Sequence, residues 1–193
     1  MVLLDLVMQI DRRVPVYYLD TGLLFEETYE LAERAAERYG IRPIAVTPPF
    51  TPDEQRELYG DELWSRDPDR CCLLRKVEPQ REFLAGYDAW ITGARRDQTR
   101  DRADLEIVSR DEQTGRVKIS PLAHWKEREV WAYADAHHIP VNALHGRGYP
   151  SIGCVPCTRA VLPGEHARAG RWSGTAKVEC GLHLAASAHE AAR

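Results

Sequence analysis

The clearest pattern in the N-terminal part of the chain is an apolar run followed by an amphipathic segment. Residues 14–19 (VPVYYL) are mainly β-branched and aromatic and lead into DTG at 20–22, which predicts a buried strand that ends in a turn. Apolar or small side chains then recur every three or four positions over residues 24–39, and Gly40 follows as a stop. That spacing predicts an amphipathic helix.

Further strands and a later helix continue this alternation. Residues 41–46 and 88–92 have the composition of strands, and each is preceded by helical sequence. Residues 126–138 predict another helix, which ends ahead of Pro140 because the residue before a proline is displaced from the α region. Strands that alternate with helices predict an α/β fold, with a mostly parallel sheet and helices on both faces. Beyond residue 144, glycine, proline and charged residues dominate, so we expect a loop-rich C-terminal segment.

Length and charge narrow the class of protein. The chain has 193 residues, of which 44% are hydrophobic, and we expect a single domain over residues 1–183 with a short tail at 184–193. The formal net charge of -4 provides no positive field for a polyanion, which disfavours nucleic acid as a partner. The apolar runs are too short to cross a membrane and no signal-peptide pattern opens the chain, so we expect a soluble cytoplasmic protein. A homo-oligomer is compatible with the sequence, which leaves the oligomeric state open.

The five cysteines form an adjacent pair, a C-x-x-C and a single residue: Cys71 and Cys72, Cys154 and Cys157, and Cys180. Five cysteines cannot all pair in disulfides, so at least one thiol would stay free. Thiols persist in a reducing compartment, where metal binding or catalysis is the more common role of cysteines. Four thiolates suit zinc or an iron-sulfur cluster. Adjacent helical side chains diverge by about 100°. This divergence favours a [4Fe-4S] cluster, because its iron atoms lie at separate corners.

Other interpretations of these cysteines stay open from the residues alone. A C-x-x-C is also typical of a thioredoxin-like redox pair, and the adjacent cysteines also fit as two small buried residues. Lys76 lies one helical turn beyond Cys72, where its charge would offset that of a thiolate-ligated cluster. A lysine at that position is equally compatible with an ordinary surface residue.

A second candidate site is an arginine-rich stretch after the strand predicted at 88–92. Residues 93–102 (GARRDQTRDR) contain four arginines, and ligands of open parallel sheets bind beyond the carboxyl ends of the strands. One interpretation is a solvated loop whose arginines pair with neighbouring aspartates. The position at a strand end favours an anion site instead, since guanidinium groups match the oxygens of phosphate and sulfate.

Six short motifs occur in a consistent order along nearly the whole chain. They are LDTG (19–22), CC (71–72), TGARRDQT (92–99), GYPSIGCVPCTR (148–159), RAGRW (168–172) and ECGLH (179–183). This combination resembles the assimilatory adenylylsulfate (APS) reductases. SIGCxPCTR together with ECGLH is highly specific, whereas LDTG alone is weak.

The resemblance implies an adenine nucleotide alpha-hydrolase-like fold and an oxidoreductase that uses thioredoxin to reduce adenosine 5'-phosphosulfate to sulfite and AMP. It implies a [4Fe-4S] cluster whose ligands are Cys71, Cys72, Cys154 and Cys157. It also implies that Cys180 is the nucleophile and forms an S-sulfocysteine. The substrate-binding residues that it implies are Thr21, Gly22, Lys76, Arg102, Arg168, Arg171 and His183.

The chain departs from the family pattern at its N-terminus. The family has a first strand and a Ser-x-Gly phosphate loop ahead of a helix similar to residues 1–10, and Met1 lies inside that helix. The backbone amides of such a loop contribute much of the binding of a phosphate group. We therefore expect an upstream start that supplies the loop. The alternatives are a 3'-phospho-APS (PAPS) reductase, a non-catalytic metal-binding relative without the loop, and a zinc-stabilised sulfurtransferase. The cluster cysteines favour APS, since PAPS-using relatives commonly lack them.

Overall fold

The helices and strands of the structure are mostly short. The computed structural model describes residues 1–182. Its helices are α1 (Val2–Ile10), α2 (Glu26–Tyr39), α3 (Pro52–Tyr59), α4 (Leu63–Arg66), α5 (Pro68–Cys72), α6 (Glu78–Leu84) and α7 (Glu127–Ala136), with a π-helix at Leu73–Val77 between α5 and α6. Its strands are β1 (Tyr17–Leu19), β2 (Ile44–Val46), β3 (Ala89–Ile91), β4 (Val108–Arg110) and β5 (Val117–Ile119).

Both predicted N-terminal strands are confirmed, but each begins later than its apolar pattern. β1 and β2 pair in parallel, with Tyr17 opposite Ile44. Pro15 precedes β1 and Pro43 precedes β2. A proline has no amide hydrogen to donate to a ladder, which explains why regular pairing starts only after each of them.

The amphipathic segment after β1 forms α2, as predicted. Its first turn carries two acidic residues and its last turn carries Arg38, charges that complement the helix dipole. Gly40 follows in the left-handed conformation, with φ 63°, where residues with a side chain are strained. The predicted helix and its stop are therefore confirmed.

The described residues form two compact units, each assembled from separate parts of the chain. The first comprises Met1–Val16 and Arg81–Pro140, and the second comprises Tyr17–Gln80 and Val141–Leu182. The single domain expected over residues 1–183 stays a prediction.

The first unit contains the three-stranded sheet, in the order β3-β5-β4. β5 is parallel to β3 and antiparallel to β4. β3 confirms the strand predicted at 88–92, whereas β4 and β5 are absent from the prediction. Each of these two strands has three residues and includes a charged one, Arg110 or Lys118, so neither forms a distinct apolar run.

A buried carboxylate ties α1 to α7 in the first unit. Asp5 accepts hydrogen bonds from the Tyr133 hydroxyl at 2.9 Å and from the Gln9 amide at 2.7 Å. Since a buried carboxylate without donors is costly, this network determines how the two helices pack. α7 also confirms the helix predicted at 126–138.

The second unit contains the parallel β1-β2 pair and the run of short helices that carries the adjacent cysteines. α5 begins at a side-chain cap, because Asp67 accepts a hydrogen bond from the Arg70 amide at 2.8 Å. A buried cluster underlies this run and consists of Leu63, Cys71 and Leu74, with Phe50, Tyr59 and Trp64 packed against it. Cys71, the first of the adjacent cysteines, is therefore part of the core of this unit.

The C-terminal part of the second unit is loop-rich, as predicted. From Val141 to residue 182 its regular elements are the 3-10 helices Ala143–Arg147 and Val155–Cys157. Isolated bridges pair Leu24 with Cys154 and Thr158 with Arg171. None of the helices within residues 1–182 has the length and apolar character needed to cross a membrane.

We expect Gly170→Ala to destabilise the protein by about 1–3 kcal/mol, the usual cost of overpacking. A Cβ at Gly170 would overlap the carbonyl oxygen of Arg159, whose amide donates to the Gly170 carbonyl at 2.9 Å. Gly146→Ala is the matched control, because a Cβ there meets nothing within 4 Å. Thermal unfolding checks the difference, and equal melting temperatures for the two variants would contradict it.

Candidate active site

The turn after β1 is organised by one aspartate. Asp20 Oδ1 accepts hydrogen bonds from the Gly22 amide at 2.9 Å and from the Tyr29 hydroxyl at 2.7 Å. Burial, together with this bond, raises the pKa of Tyr29 well above its ordinary value, so the hydroxyl stays protonated and donates. Gly22 has φ 67°, a left-handed conformation that favours glycine. The turn holds Thr21 fully buried at the carboxyl end of β1.

Thr21 connects this turn to two other parts of the second unit. Its hydroxyl lies 3.3 Å from Cys154 Sγ, and its carbonyl accepts a hydrogen bond from Arg75 Nε at 2.6 Å. The Val155 amide also donates to the Leu23 carbonyl at 2.8 Å. The turn implied to line the nucleotide pocket therefore lies against the C-x-x-C.

The adjacent cysteines lie where α5 changes into a wider helical turn. Cys71 and Cys72 close α5, and the π-helix follows directly. π-helical turns are rare and are frequent at functional sites. Within this turn Arg75 and Lys76 are 2% and 8% exposed. Lys76 is therefore a buried residue, and the surface interpretation of this lysine is excluded.

The four predicted cluster cysteines line one small cavity. The charged residues in its wall are Arg75 and Lys76, and its cysteines are Cys71, Cys72, Cys154 and Cys157. Burial is the main cause that raises the pKa of Cys71 to about 11 and that of Cys157 to about 12, and neighbouring cysteines add to both shifts. Burial also raises the pKa of Cys72. Thiols of this kind bind a metal only with loss of their protons.

The four thiols share this cavity with two cations, Arg75 and Lys76. Among residues 1–182, no group of three or more histidine, cysteine, aspartate or glutamate side chains is arranged to hold a metal ion. Four thiolates are a donor set that both zinc and an iron-sulfur cluster accept. The chemistry of these residues therefore fits either centre.

Lys76 is a buried cation whose neighbours are mainly thiols. Burial acts to lower its pKa, but Cys154, Cys72 and Cys180 together hold the pKa of Lys76 above its ordinary value. Arg171 is close enough for its positive charge to act in the opposite direction. The surroundings of Lys76 thus join cluster cysteines, the single Cys180 and one candidate substrate arginine.

Arg168 and Arg171 converge on Ser151 and Trp172. Each donates a hydrogen bond to the Ser151 hydroxyl at 3.3 Å. Their guanidinium carbons lie 5.9 and 4.3 Å from the centre of the Trp172 ring, a cation-π arrangement. Arg171 Nε is buried and has no hydrogen-bond partner among the residues that the structure describes. The pair forms a cationic surface with donor capacity for an anion.

Most predicted site residues belong to the second unit: Thr21, Gly22, Cys71, Cys72, Lys76, Cys154, Cys157, Arg168, Arg171 and Cys180. Arg102 belongs to the first unit, in the 3-10 helix Arg100–Arg102, where it is buried and donates to Gln98. Its role at the substrate stays a prediction. His183 lies outside the described residues, and its role also stays a prediction.

In the arginine-rich stretch at 93–102, at least three of the four arginines have local partners, since Arg102 donates to Gln98. Arg95 forms an ion pair with Asp97 at 2.8 Å. Arg96 Nε donates to the Leu105 carbonyl at 2.8 Å. Local pairing of this kind is the alternative that the composition left open, and anion binding by the stretch stays a prediction.

Most of the chain matches a single family model. Residues 1–160 match the phosphoadenosine phosphosulfate reductase domain. The chain belongs to this family. It is 51% identical, over 95% of its length and 76% of the relative, to a protein named adenosine 5'-phosphosulfate reductase from Shouchella clausii. A protein of the same name from Halalkalibacterium halodurans is 52% identical over 95% of this chain and 80% of the relative. Adenosine 5'-phosphosulfate reductase 1 of Bacillus subtilis is 48% identical over 94% of this chain and 78% of the relative.

Solved structures of the family and of a more distant protein share the fold. The phosphoadenylyl-sulfate (PAPS) reductase from Candida auris, in a phosphate complex, is 30% identical with a TM-score of 0.68, and the match covers 80% of this chain and 75% of that one. The FMN adenylyltransferase from Candida glabrata is 19% identical with a TM-score of 0.56, over 75% of this chain and 44% of that one, and shows the fold alone. The predicted adenine nucleotide alpha-hydrolase-like α/β fold is confirmed.

The sequence prediction missed two residues that hold the site together. Arg75 stands beside Lys76 in a stretch whose charges look like an ordinary helix surface, yet in the π-helix Arg75 is buried. Trp172 has φ 46° and is 3% exposed, and it supports both candidate substrate arginines. A tryptophan between polar residues, within RAGRW, is the one signal in the sequence that pointed to it.

We expect Arg75→Met to destabilise the protein by about 2–4 kcal/mol, because buried acceptors lose their donor. The Thr21 carbonyl and the Gln55 side chain would both lose a hydrogen bond to the guanidinium. The matched control is Arg56→Met in α3, whose side chain is 57% exposed and should change stability little. Urea unfolding of both variants checks this, and a wild-type midpoint for Arg75→Met would refute the role assigned to Arg75.

Proposed function

We propose that this chain reduces adenosine 5'-phosphosulfate to sulfite and AMP, with Cys180 as the nucleophile and thioredoxin or a similar dithiol protein as the electron donor. The observation that carries the proposal is the cavity in which the buried Lys76 lies beside four cysteines, in the same unit as Cys180 and Arg171. The three relatives described above, which are named for this activity, are between 48% and 52% identical to the chain. A reducing, cytoplasmic location fits such a donor.

In the first step, the Cys180 thiolate attacks the sulfur of the sulfonyl group of the substrate. The bond between that sulfur and its bridging oxygen breaks, AMP leaves with the oxygen, and an S-sulfocysteine forms on Cys180. Since thiolate and substrate are both anions, the attack requires nearby positive charge. Lys76, Arg168 and Arg171 supply that charge in the second unit. The family resemblance adds Arg102 and His183 as further substrate ligands.

In this proposal, the turn after β1 binds the nucleotide. Thr21 and Gly22 stand at the carboxyl end of a parallel strand, the edge where ligands of such sheets bind. The hydrogen bond between Thr21 and Arg75 keeps this edge beside the cysteine cavity. The adenosine end of the substrate would then lie on the turn while its sulfur faces Cys180.

In the second step, a thiolate of the donor attacks Cys180 Sγ, and sulfite leaves with the electron pair of the broken sulfur-sulfur bond. The second donor thiol then displaces Cys180 from the mixed disulfide, so that Cys180 returns as a thiolate and the donor leaves oxidised. This step needs access from outside the protein. Cys180 is only partly buried, which supports such access.

We assign Cys71, Cys72, Cys154 and Cys157 to a [4Fe-4S] cluster. Their shared cavity and the two cations in the cavity wall support this assignment. When bound, the cluster would supply a local arrangement of charge without having to change its redox state. Lys76 is the residue of this chain that would carry positive charge between the cysteine cavity and the substrate.

PAPS reduction and a zinc-stabilised sulfurtransferase are the alternatives. The Candida auris relative is named as a PAPS reductase, but its sequence identity to this chain is 30%, lower than that of the relatives named as APS reductases. The ratio of kcat/KM for the two nucleotides discriminates between the substrates. Metal analysis discriminates between the centres, since a cluster yields iron with inorganic sulfide.

Cys180→Ser should abolish sulfite formation while iron, inorganic sulfide and visible absorbance stay at the wild-type level. The reason is that Cys180 provides the attacking sulfur and is not one of the four assigned ligands. Cys71→Ser is the matched control and should lose iron. Loss of iron from Cys180→Ser would contradict the division into four ligands and one nucleophile.

A further inference from the structure

Lys177 is an almost buried lysine located three residues before Cys180. Its side chain is 5% exposed and its Nζ forms an ion pair with Asp69, whose side chain is 71% exposed. The same Nζ lies 5.5 Å from the centre of the Trp172 ring. An ammonium group that leaves water requires a counter-charge, so the position of Lys177 depends on Asp69.

The ion pair joins two distant segments that both carry cysteines. Asp69 lies in α5, two residues before Cys71, and Lys177 lies in the segment that leads to Cys180. Burial raises the pKa of Cys72, and the charges of Lys76 and Lys177 act against that rise. The C-terminal segment is therefore held close to the end of α5.

A second attachment of this segment uses Arg168. Its Nη2 donates to the Val178 carbonyl at 3.0 Å and lies 3.5 Å from a Glu179 carboxylate oxygen. An incoming phosphosulfate would compete for the same guanidinium donors. Asp69 and Lys177 share no donor with Arg168, so their ion pair is the attachment that can persist when the substrate binds.

We propose that Asp69 and Lys177 are positioning residues for the reaction: their ion pair anchors the Cys180 segment against α5 while the thiol attacks. The proposal rests on the role of Cys180 under the proposed function. Neither residue needs to touch the substrate. The anchor acts by restricting where Cys180 can be, which raises the effective concentration of its sulfur at the reacting centre.

The two partners are not equivalent when one is removed. Lys177→Met removes the buried charge and leaves an exposed aspartate that water solvates. Asp69→Asn leaves the buried ammonium without its counter-charge, which favours movement of Lys177 and its segment into water. Asp69→Asn should therefore release the segment at least as much as Lys177→Met does.

The first test is the rate at which iodoacetamide alkylates Cys180 in the purified protein with its metal content intact, read on the Cys180 peptide by mass spectrometry. Lys177→Met and Asp69→Asn should each raise the rate about tenfold, as expected for the loss of an ion pair and a cation-π contact. Lys177→Arg preserves the charge and should stay within about twofold of the wild type. The control Arg147→Ala removes an ion pair with Glu27 elsewhere in the second unit and should change nothing. Wild-type rates in both Lys177→Met and Asp69→Asn would overturn the proposal.

The second test separates the two chemical steps in single turnovers. In Asp69→Asn, transfer of the sulfonyl group from APS to Cys180 should slow by about tenfold, while dithiothreitol releases sulfite from the preformed S-sulfocysteine at least as fast as in the wild type. An equal loss in both steps, accompanied by a lower melting temperature, would indicate a purely structural role and overturn the proposal. Failure of the proposed function gives a different result, because wild-type protein would then form no S-sulfocysteine while the alkylation rates would still respond to Asp69→Asn.

Discussion

The hydrogen bond from the buried Arg75 guanidinium to the Thr21 carbonyl is the contact on which the rest of the site depends. Arg75 is 2% exposed, and it also donates to Gln55, which is equally buried. Burial lowers the pKa of Arg75, and the nearby Cys71 and Cys154 act against that shift. A guanidinium buried this far is tolerated because acceptors and thiols surround it. It thereby holds the turn after β1 to the π-helix that carries Lys76.

The proposed function requires like charges to share one site in the second unit. Thiolates and a phosphosulfate repel one another, so both could occupy that site only where cations lie between them. Lys76 lies among the thiols, whereas Arg168, Arg171 and Lys177 gather around the ring of Trp172. The quadrupole of an aromatic ring attracts each of these cations. Trp172 thus packs against the cations that would face the anion, and Lys76 is the cation that faces the cysteines.

The elements that could be predicted from the sequence are those whose signal is local. α2 has a regular apolar spacing and a glycine stop, and β1 has a dense apolar run, so each was found with only its start displaced. The strands β4 and β5 could not be found in this way, because each is three residues long and interrupted by charge. The grouping of four cysteines apart from Cys180 came from spacing and family resemblance.

The parts of the site that could not be predicted depend on contacts between distant segments. No local pattern distinguishes the π-helix from an α-helix, and Lys76 and Arg75 are both buried within it. The pairing of Lys177 with Asp69 joins residues more than a hundred positions apart, and no local pattern around either residue predicts it. Charges of this kind read as solvated surface until the fold brings them together.

The most direct measurement of the central claim is the mass of the Cys180 peptide after the protein is incubated with APS in the absence of any dithiol donor. We expect this peptide to gain one SO3 group, AMP to appear in equal amount, and later addition of thioredoxin to remove the group as sulfite. An added SO3 group on Cys154 or Cys157, with Cys180 unmodified, would contradict the claim.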